Sequence, residues 1–335
     1  MLCFGTFRLK PSRQTGIQAL HEAIDLGINT LHSSPEYGSF EHVCDVLDRH
    51  SKRADLHHVL KVPSPGYGQR AFDPTYFRRQ IDESLAALGV ERIAIVQHLH
   101  RGPAPESEVY GEEGDRLRIP LIDEVSEPLL EVAEELKASG KIGALVSYPH
   151  TMTYARRLMD SSFDGFAHPF GVLETEMTEL LDDITERNKF LIGIRPLLQG
   201  ILTDRGVARS RLPRKDPLRE ERLDPWYRQL ELLRQSLGSE PRSWTNFAVR
   251  FAVTPRAVVT SAIGLDTVEH VRAAVDAVDE GPLSLPVVEL AHDMAGRLGS
   301  IPKSTLVRPH TWNARTIASA ILRRARAGVR RAGSR

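Results

Sequence analysis

The sequence contains little cysteine and no long hydrophobic run. Of its 335 residues only Cys3 and Cys44 are cysteines, and without a C-x-x-C pair they provide neither a disulfide framework nor a zinc or dithiol motif. No stretch approaches the roughly 18 apolar residues that a membrane span needs, and the apolar run at the N-terminus is too short for a signal peptide. We therefore predict a cytoplasmic protein with no membrane span and no metal site.

Net charge is also absent, because 44 Lys and Arg residues balance 44 Asp and Glu residues. This balance argues against nucleic acid as a partner. The charge is nevertheless uneven: residues 315–335 hold seven arginines and no acidic residue, which leaves 37 basic and 44 acidic residues elsewhere. We predict a basic tail over residues 306–335 that docks on the acidic body of its own chain or on an anionic partner.

Eight short apolar runs alternate with segments of helical periodicity, and several runs are nearly unbroken, as in strands covered on both sides. Eight such units predict a single (β/α)8 TIM barrel domain over residues 1–305, with an open doubly wound sheet as the alternative. Gly27 and Gly140 stand where helices are expected to end. The predicted strands are Leu2–Thr6, Asn29–Ser33, Leu56–Val62, Ile93–Leu99, Gly143–Ser147, Phe163–His168, Phe190–Pro196 and Ala257–Ile263, and the helices include Ile17–Leu26, Tyr76–Leu88, Leu129–Ala138 and Trp244–Ala252.

Two connections are long. Arg101–Asp123 follows the fourth strand, and Asp204–Glu240 follows the seventh. Loops that follow barrel strands emerge at the face where active sites are built, so these segments are predicted to be substrate lids. The alternative is that they are disordered surface segments.

Reactive side chains occur at the ends of consecutive strands. His32 ends the second strand and Tyr37 follows it, Lys61 ends the third, and His98 and His100 end the fourth. An ammonium group beside a tyrosine hydroxyl stabilises the phenolate and makes the hydroxyl a better proton donor, while a histidine can orient a carbonyl oxygen. Each residue alone also has a structural explanation, so the hypothesis of an active site rests on their joint placement.

The sequence resembles the aldo-keto reductase superfamily between Phe4 and Ala277. The resemblance rests on segments that occur in the family's order. They are FGTF at Phe4–Phe7, AIDLGINTLHSSPEYG at Ala23–Gly38, VLKV at Val59–Val62, ESLAALGVERIAIVQHLHRGP at Glu83–Pro103, ELKASGKIGALVS at Glu135–Ser147, RPLLQGILT at Arg195–Thr203 and FAVRFAVTPRAVVTSAIGLDTVEHVRAAVDA at Phe247–Ala277.

This resemblance implies a (β/α)8 barrel that binds NADP(H) or NAD(H) and reduces carbonyl groups with a Tyr, Lys, His and Asp tetrad. It makes Tyr37 the proton donor and Lys61 its partner. The substrate-orienting histidine is His100 if the segments are aligned on RGP, but counting from the preceding Leu-Gly reaches Leu99. His98 and His100 therefore compete for the role, and His100 would require a one-residue bulge in the fourth strand.

The resemblance also assigns cofactor positions, several of which depart from the family pattern. Tyr148 replaces an asparagine that holds the nicotinamide amide, Ala167 a glutamine, Ile194 a stacking aromatic residue, Asp266 a basic residue that reads the 2′-phosphate, and Ala274 an adenine-contacting asparagine. These departures predict weak, altered or absent cofactor binding. The implied cofactor-binding residues are Gly5, Thr6, Ser147, Tyr148, His168, Arg195, Leu197, Gly200, Gly264, Asp266 and His270.

A further departure concerns the charge of Lys61. His32 occupies the position of the family's aspartate, and an imidazole cannot supply the counter-charge. Burial would then lower the pKa of Lys61 and make its amine a nucleophile, unless Glu36 or another carboxylate supplies the missing charge.

Three functions follow from these observations. The first is an NAD(P)H-dependent reductase of a small carbonyl or imine substrate with an atypical active site. The second is a redox-neutral barrel enzyme, such as a lyase, isomerase or dehydratase, with a Schiff base on Lys61 as one form of its chemistry. The third is a regulatory barrel whose catalytic site has decayed.

Overall fold

The predicted barrel is confirmed, and the open sheet is wrong. A computed structural model of the chain describes residues 1–10, 12–105, 108–109, 111–237, 239, 241–298, 301 and 303–306. Its eight parallel strands pair in sequential order into a closed barrel. The strands are β1 (Leu2–Gly5), β2 (Thr30–Ser33), β3 (His57–Pro63), β4 (Ile93–Leu99), β5 (Ile142–Ser147), β6 (Gly165–Pro169), β7 (Phe190–Ile194) and β8 (Val258–Ile263).

Closure depends on the first and last strands. Leu2 pairs with Ser261 and Phe4 with Ile263, so that β1 and β8 share one parallel ladder. Gly5 is suited to this seam, because a Cβ there would lie 3.1 Å from the carbonyl oxygen of Ile263. The predicted seventh strand ends earlier than expected, since Arg195 has a φ of 52° and cannot continue an extended strand.

Helices surround the strands. Gly27 and Gly140 have φ values of 91° and 77°, which confirms them as left-handed residues after helices. The helix predicted to start at Leu129 begins earlier, at Ile122, and Pro128 lies inside it. The helices are α1 (Gln14–Asp25), α2 (Phe40–Leu47), α3 (Pro74–Leu88), α4 (Glu112–Arg118), α5 (Ile122–Ala138), α6 (Met152–Leu158), α7 (Leu181–Glu186), α8 (Asp204–Val207), α9 (Asp224–Ser236), α10 (Trp244–Val253), α11 (Val268–Asp279) and α12 (Leu285–Leu298).

The core has two parts. A small cluster inside the barrel includes Cys3, Val59, Val146 and Ile192. A much larger cluster packs the outer faces of the strands against the helices. Because side chains alternate between the two faces of a strand, membership of one cluster or the other tells which side of the barrel a residue faces.

Both long connections contain helices, so the alternative that they are wholly disordered surface segments is wrong. The segment after β4 contains α4, and the segment after β7 contains α8 and α9. Asp115 and Arg118 in α4 form an ion pair of 3.0 Å with side chains only 1% and 0% exposed. Asp115 also accepts a hydrogen bond from Thr151, which joins the segment to the start of α6.

None of the helices in the described part of the chain is long and apolar enough to cross a membrane. The predicted basic tail lies outside the described residues from 307 onward.

Replacing Asp115 by Ala should destabilise the protein, because it leaves the Arg118 guanidinium buried without a counter-charge. We expect a loss of roughly 3–5 kcal/mol in the free energy of unfolding, measured by urea denaturation. Glu113→Ala is the matched control, since Glu113 pairs with Arg116 in the same helix with both side chains more than half exposed. An equal effect of the two substitutions would show that the Asp115 pair does not anchor the segment.

Candidate active site

The site lies where β2, β3 and β4 end. Lys61 faces the barrel interior, two residues after Val59 of the interior cluster, and it pairs in register with Gln97 of β4. His32 of β2 donates from Nε2 to Oε1 of Gln97 over 2.7 Å. Because β3 separates β2 from β4 in the sheet, this bond passes across the interior face of β3 beside Lys61.

Tyr37 lies directly against Lys61. The turn after β2 carries the tyrosine, and its backbone N–H donates to the carbonyl of Ser34 over 2.9 Å. The Nζ atom of Lys61 is 4.7 Å from the centroid of the Tyr37 ring. Phe7 also makes an edge-on contact with the Tyr37 ring, with a centroid separation of 4.9 Å. The structure thus brings together the predicted proton donor and its predicted partner.

Glu36 supplies the charge that His32 cannot. Its Oε2 atom lies 3.5 Å from the Nζ atom of Lys61, so the alternative in which a nearby carboxylate replaces the missing aspartate is the one observed. Burial lowers the pKa of Lys61 to about 8, the Glu36 carboxylate raises it, and the Arg101 guanidinium lowers it further. Lys61 therefore exchanges its proton close to neutral pH.

His32 is buried and neutral. Burial lowers its pKa to about 4, while the hydrogen bond to Gln97 acts in the opposite direction. Its ring centroid lies 6.1 Å from that of Tyr37, which places an uncharged polar side chain beside the Tyr37–Lys61 contact. Gln97 was missed by the sequence analysis, although its place two residues before Leu99 in an apolar strand was a signal that could have indicated an interior polar residue.

The two histidines of β4 face the other way. Leu99, between them, belongs to the interior cluster with Tyr148, whereas His98 stacks near Phe163 at 6.2 Å and His100 hydrogen-bonds to the hydroxyl of Tyr154 at 3.2 Å.

Phe163 and Tyr154 belong to the outer cluster, so neither imidazole points into the barrel interior. The bulge predicted in the fourth strand is absent, because β4 pairs with β3 in unbroken register from Ile95 to Leu99. The register shift of the barrel lies instead between β7 and β8.

The implied cofactor residues at β5 and β6 divide between the two faces. Tyr148 and Ala167 line the interior. Ser147 and His168 are their neighbours in sequence and face outward, and the ring of His168 donates to the carbonyl of Pro169 over 2.9 Å. Thr6 after β1 is fully buried and donates from its hydroxyl to the carbonyl of His32 over 3.0 Å.

After β7, the implied cofactor residues lie in a strained turn. Arg195, Leu198 and Gln199 all have positive φ, and Gly200 follows with a φ of 101°. Leu197 packs on the outer cluster. Arg195 makes two hydrogen bonds of 2.8 and 2.5 Å to Glu174, whose side chain is 2% exposed. Glu174 holds the guanidinium of Arg195 in place. The sequence analysis did not predict this residue.

After β8, the implied cofactor residues are exposed. A Cβ added at Gly264 would meet no atom within 4 Å, and Asp266 and His270 are solvent-accessible. Thr267 caps α11 by accepting a hydrogen bond from the backbone of His270 over 3.3 Å.

Among the residues that the structure describes, there is no group of three or more His, Cys, Asp or Glu side chains that could hold a metal ion.

The closed parallel barrel and the Tyr37–Lys61 contact at the carboxyl ends of its strands are features that the resemblance implied. The chain belongs to the aldo/keto reductase family, whose sequence pattern it matches over residues 1–290. The resemblance seen in the sequence is therefore confirmed. A comparison with curated protein sequences finds no match.

Similar solved structures share the fold. Aldo-keto reductase AKR11C1 from Bacillus halodurans is 22% identical, covers 89% of this chain and 92% of its own, and has a TM-score of 0.64. The glycerol dehydrogenase AKR11B4 from Gluconobacter oxydans is 19% identical, with coverage of 93% and 95% and a TM-score of 0.62. An aldo/keto reductase from Klebsiella pneumoniae, solved with NADP and acetate, is 17% identical, with coverage of 88% and 90% and a TM-score of 0.58.

Stability should fall as the pH drops from about 6.5 toward 4. Burial lowers the pKa of His98 from 6.5 to about 4, so the unfolded chain takes up this proton before the folded chain does. The wild-type free energy of unfolding should be lower at pH 4.5 than at pH 7.5. We expect this difference to be about 2 kcal/mol smaller in His98→Phe. Chemical denaturation at both pH values measures the two free energies. His57→Gln, at an exposed position, should retain the wild-type dependence, and an unchanged dependence in His98→Phe would contradict the buried neutral state.

Proposed function

We propose that this chain is an NAD(P)H-dependent reductase of a small carbonyl or imine compound, with Tyr37 as proton donor and Lys61 as its partner. The observation that carries the proposal is the contact of 4.7 Å between the Lys61 Nζ atom and the Tyr37 ring, in a chain that belongs to the aldo/keto reductase family. An ammonium at this distance stabilises a developing phenolate as the hydroxyl proton moves to the substrate oxygen.

Lys61 is suited to support that proton transfer. Its pKa of about 8 lets the amine regain a proton near neutral pH, and Glu36 stabilises the ammonium form. The neutral pair of His32 and Gln97 fills the interior beside it. The chain thus keeps the proton-transfer pair of the family while it changes the groups that set the charge of that pair.

The substrate contact differs from the family pattern more strongly. Leu99 occupies the interior position next to Tyr148, and the imidazoles of His98 and His100 face the helices. Tyr37 therefore donates to the carbonyl oxygen without His98 or His100, and the wall of the site at Leu99 is apolar. This arrangement favours a substrate with an apolar group next to its carbonyl carbon.

The loop after β8 fits a dinucleotide. The backbone at Gly264 is open, since a Cβ there would meet no atom within 4 Å. Helix α11 begins four residues later, at Val268 after its Thr267 cap, so that its first amides face the loop and favour a phosphate group. When bound, a nicotinamide dinucleotide supplies the hydride for carbonyl reduction, and the Klebsiella relative was solved with NADP. Tyr148 and Ala167 lack the amide groups of the family, so nicotinamide binding should be weak.

The same loop favours NADH over NADPH. Asp266 is exposed at the position where the resemblance places a basic residue for the 2′-phosphate. A carboxylate repels that phosphate and accepts a hydrogen bond from the free 2′-hydroxyl of NADH.

Replacing Tyr37 by Phe should reduce turnover of a carbonyl panel by roughly 10²–10⁴-fold while the fold is kept, because only the proton-donating hydroxyl is removed. Lys61→Met should reduce turnover as well, with dinucleotide binding unchanged. Steady-state kinetics and binding titrations measure both effects.

Tyr76→Phe is the control for that experiment, since Tyr76 lies partly exposed on α3. Full activity in Tyr37→Phe would exclude Tyr37 as the donor. If only Lys61→Met lost this turnover, Lys61 rather than Tyr37 would supply the proton.

Asp266→Arg should raise the affinity for NADPH relative to NADH on the order of tenfold, because it replaces a repulsive charge by an attractive one. Fluorescence or calorimetric titration of both dinucleotides measures the ratio. Asp279→Arg makes the same charge change at the far end of α11 and should leave it unaltered. An unchanged ratio in Asp266→Arg would show that this loop does not contact the 2′ position.

A further inference from the structure

Arg101 binds the same Glu36 carboxylate that contacts Lys61. Its two terminal nitrogens donate to the two carboxylate oxygens over 2.5 and 2.6 Å. The Arg101 side chain is 13% exposed and the Glu36 side chain is 40% exposed, so the guanidinium is mostly buried while water still reaches the carboxylate. Charge-assisted contacts of this geometry fix orientation as well as energy.

The position of Arg101 is set independently of Glu36. Arg118 donates from Nε to the carbonyl oxygen of Arg101 over 2.7 Å, and the Arg101 backbone N–H donates to the carbonyl of Pro65 over 3.3 Å. The guanidinium also lies 4.5 Å from the ring centroid of Tyr67. The buried anchor of α4 thus holds the backbone from which Arg101 reaches into the site.

Glu36 is therefore shared between two cations. Its Oε2 atom accepts from Arg101 at 2.6 Å and from Lys61 at 3.5 Å, so the shorter and stronger contact belongs to Arg101. One carboxylate beside two basic groups leaves the ammonium of Lys61 only partly compensated.

We infer that Arg101 acts on Lys61 through Glu36: by holding the carboxylate with two hydrogen bonds, it offsets part of the negative charge that faces the ammonium. This inference deepens the proposed function and rests on Lys61 as the partner of Tyr37. Glu36 and Arg101 then have opposite effects on Lys61. The Glu36 carboxylate stabilises the protonated form of Lys61, and the Arg101 guanidinium destabilises it.

Other groups near Lys61 do not produce this effect. His32 faces Lys61 from β2 and stays neutral above pH 4 or so, because burial lowers its pKa to about 4. Gln97 of β4 carries no charge, and Tyr37 presents its ring face to the ammonium. Within the described residues, the charge that compensates Lys61 therefore comes from Glu36, and the charge that opposes it comes from Arg101.

The experiment is competitive labelling of the whole chain with trace acetic anhydride between pH 6 and 11. Peptide mass spectrometry reports acetylation of Lys61 relative to the exposed Lys215, and the midpoint gives the pKa of Lys61 without any need for turnover. Glu36→Gln should move the midpoint down by about one pH unit, and Arg101→Gln should move it up by about one unit. Arg101→Lys keeps the positive charge and should stay near the wild-type value.

Arg78→Gln and Glu135→Gln are the controls, because they break an exposed ion pair of 2.5 Å elsewhere on the barrel and should leave the midpoint unchanged. Circular dichroism confirms that each variant is folded. A downward shift in Arg101→Gln would mean that Glu36 merely drifts away from Lys61, and an absent shift would mean that the carboxylate is not shared. Either result overturns the inference.

Turnover distinguishes this inference from the proposed function. If the chain is a reductase, the limb of its pH–rate profile that reports Lys61 should move in the same directions as the labelling midpoint. The protein could reduce no carbonyl compound while the labelling midpoint falls in Glu36→Gln and rises in Arg101→Gln. That result would support the charge-sharing inference and reject the reductase. Turnover together with unshifted labelling would support the reductase and reject the inference.

Discussion

The pairing of β1 with β8 is the constraint on which the rest of this structure depends, because it closes a parallel sheet into a ring. In a closed parallel barrel all carboxyl ends of the strands share one rim. The segments after β2, β3 and β4 meet at that rim, so Glu36 reaches Arg101 although 65 positions separate them in the sequence. The helices that connect the strands cover the outside of the ring and leave the rim open for chemistry.

Burial sets the charge states at this rim. Removal from water disfavours the charged forms of lysine and histidine, which is why the pKa of Lys61 lies near 8 and that of His32 near 4. The same rule governs the layer outside the strands, where Asp115 and Arg118 remain charged only as a pair. That pair is linked to the rim through the backbone of Arg101, so the outer layer supports the electrostatics of the inner one.

The charge beside Lys61 has changed its origin relative to the family pattern. In the pattern a carboxylate stands in the second strand, at the position of His32, whereas here the carboxylate of Glu36 comes from the turn after that strand. A carboxylate in a turn is accessible to a second cation, and Arg101 takes that place. The Tyr37–Lys61 contact is therefore accompanied by Glu36 and Arg101, which do not stand at the position of the family's aspartate.

The sequence by itself determined the eight alternating units and the glycines at 27 and 140 that end helices, because these depend on periodicity and local backbone preference. It also determined that Tyr37 lies near Lys61, because both follow from the order of the strands. Tertiary structure alone decided which residue of β4 enters the barrel. Neighbouring strand residues face opposite sides, so a shift of one residue exchanges them, and the register of β4 against β3 turns Leu99 inward and His98 and His100 outward. It also decided that Gln97 meets His32 and Arg101 meets Glu36, since these contacts join residues that are remote in sequence and arise only when the barrel closes.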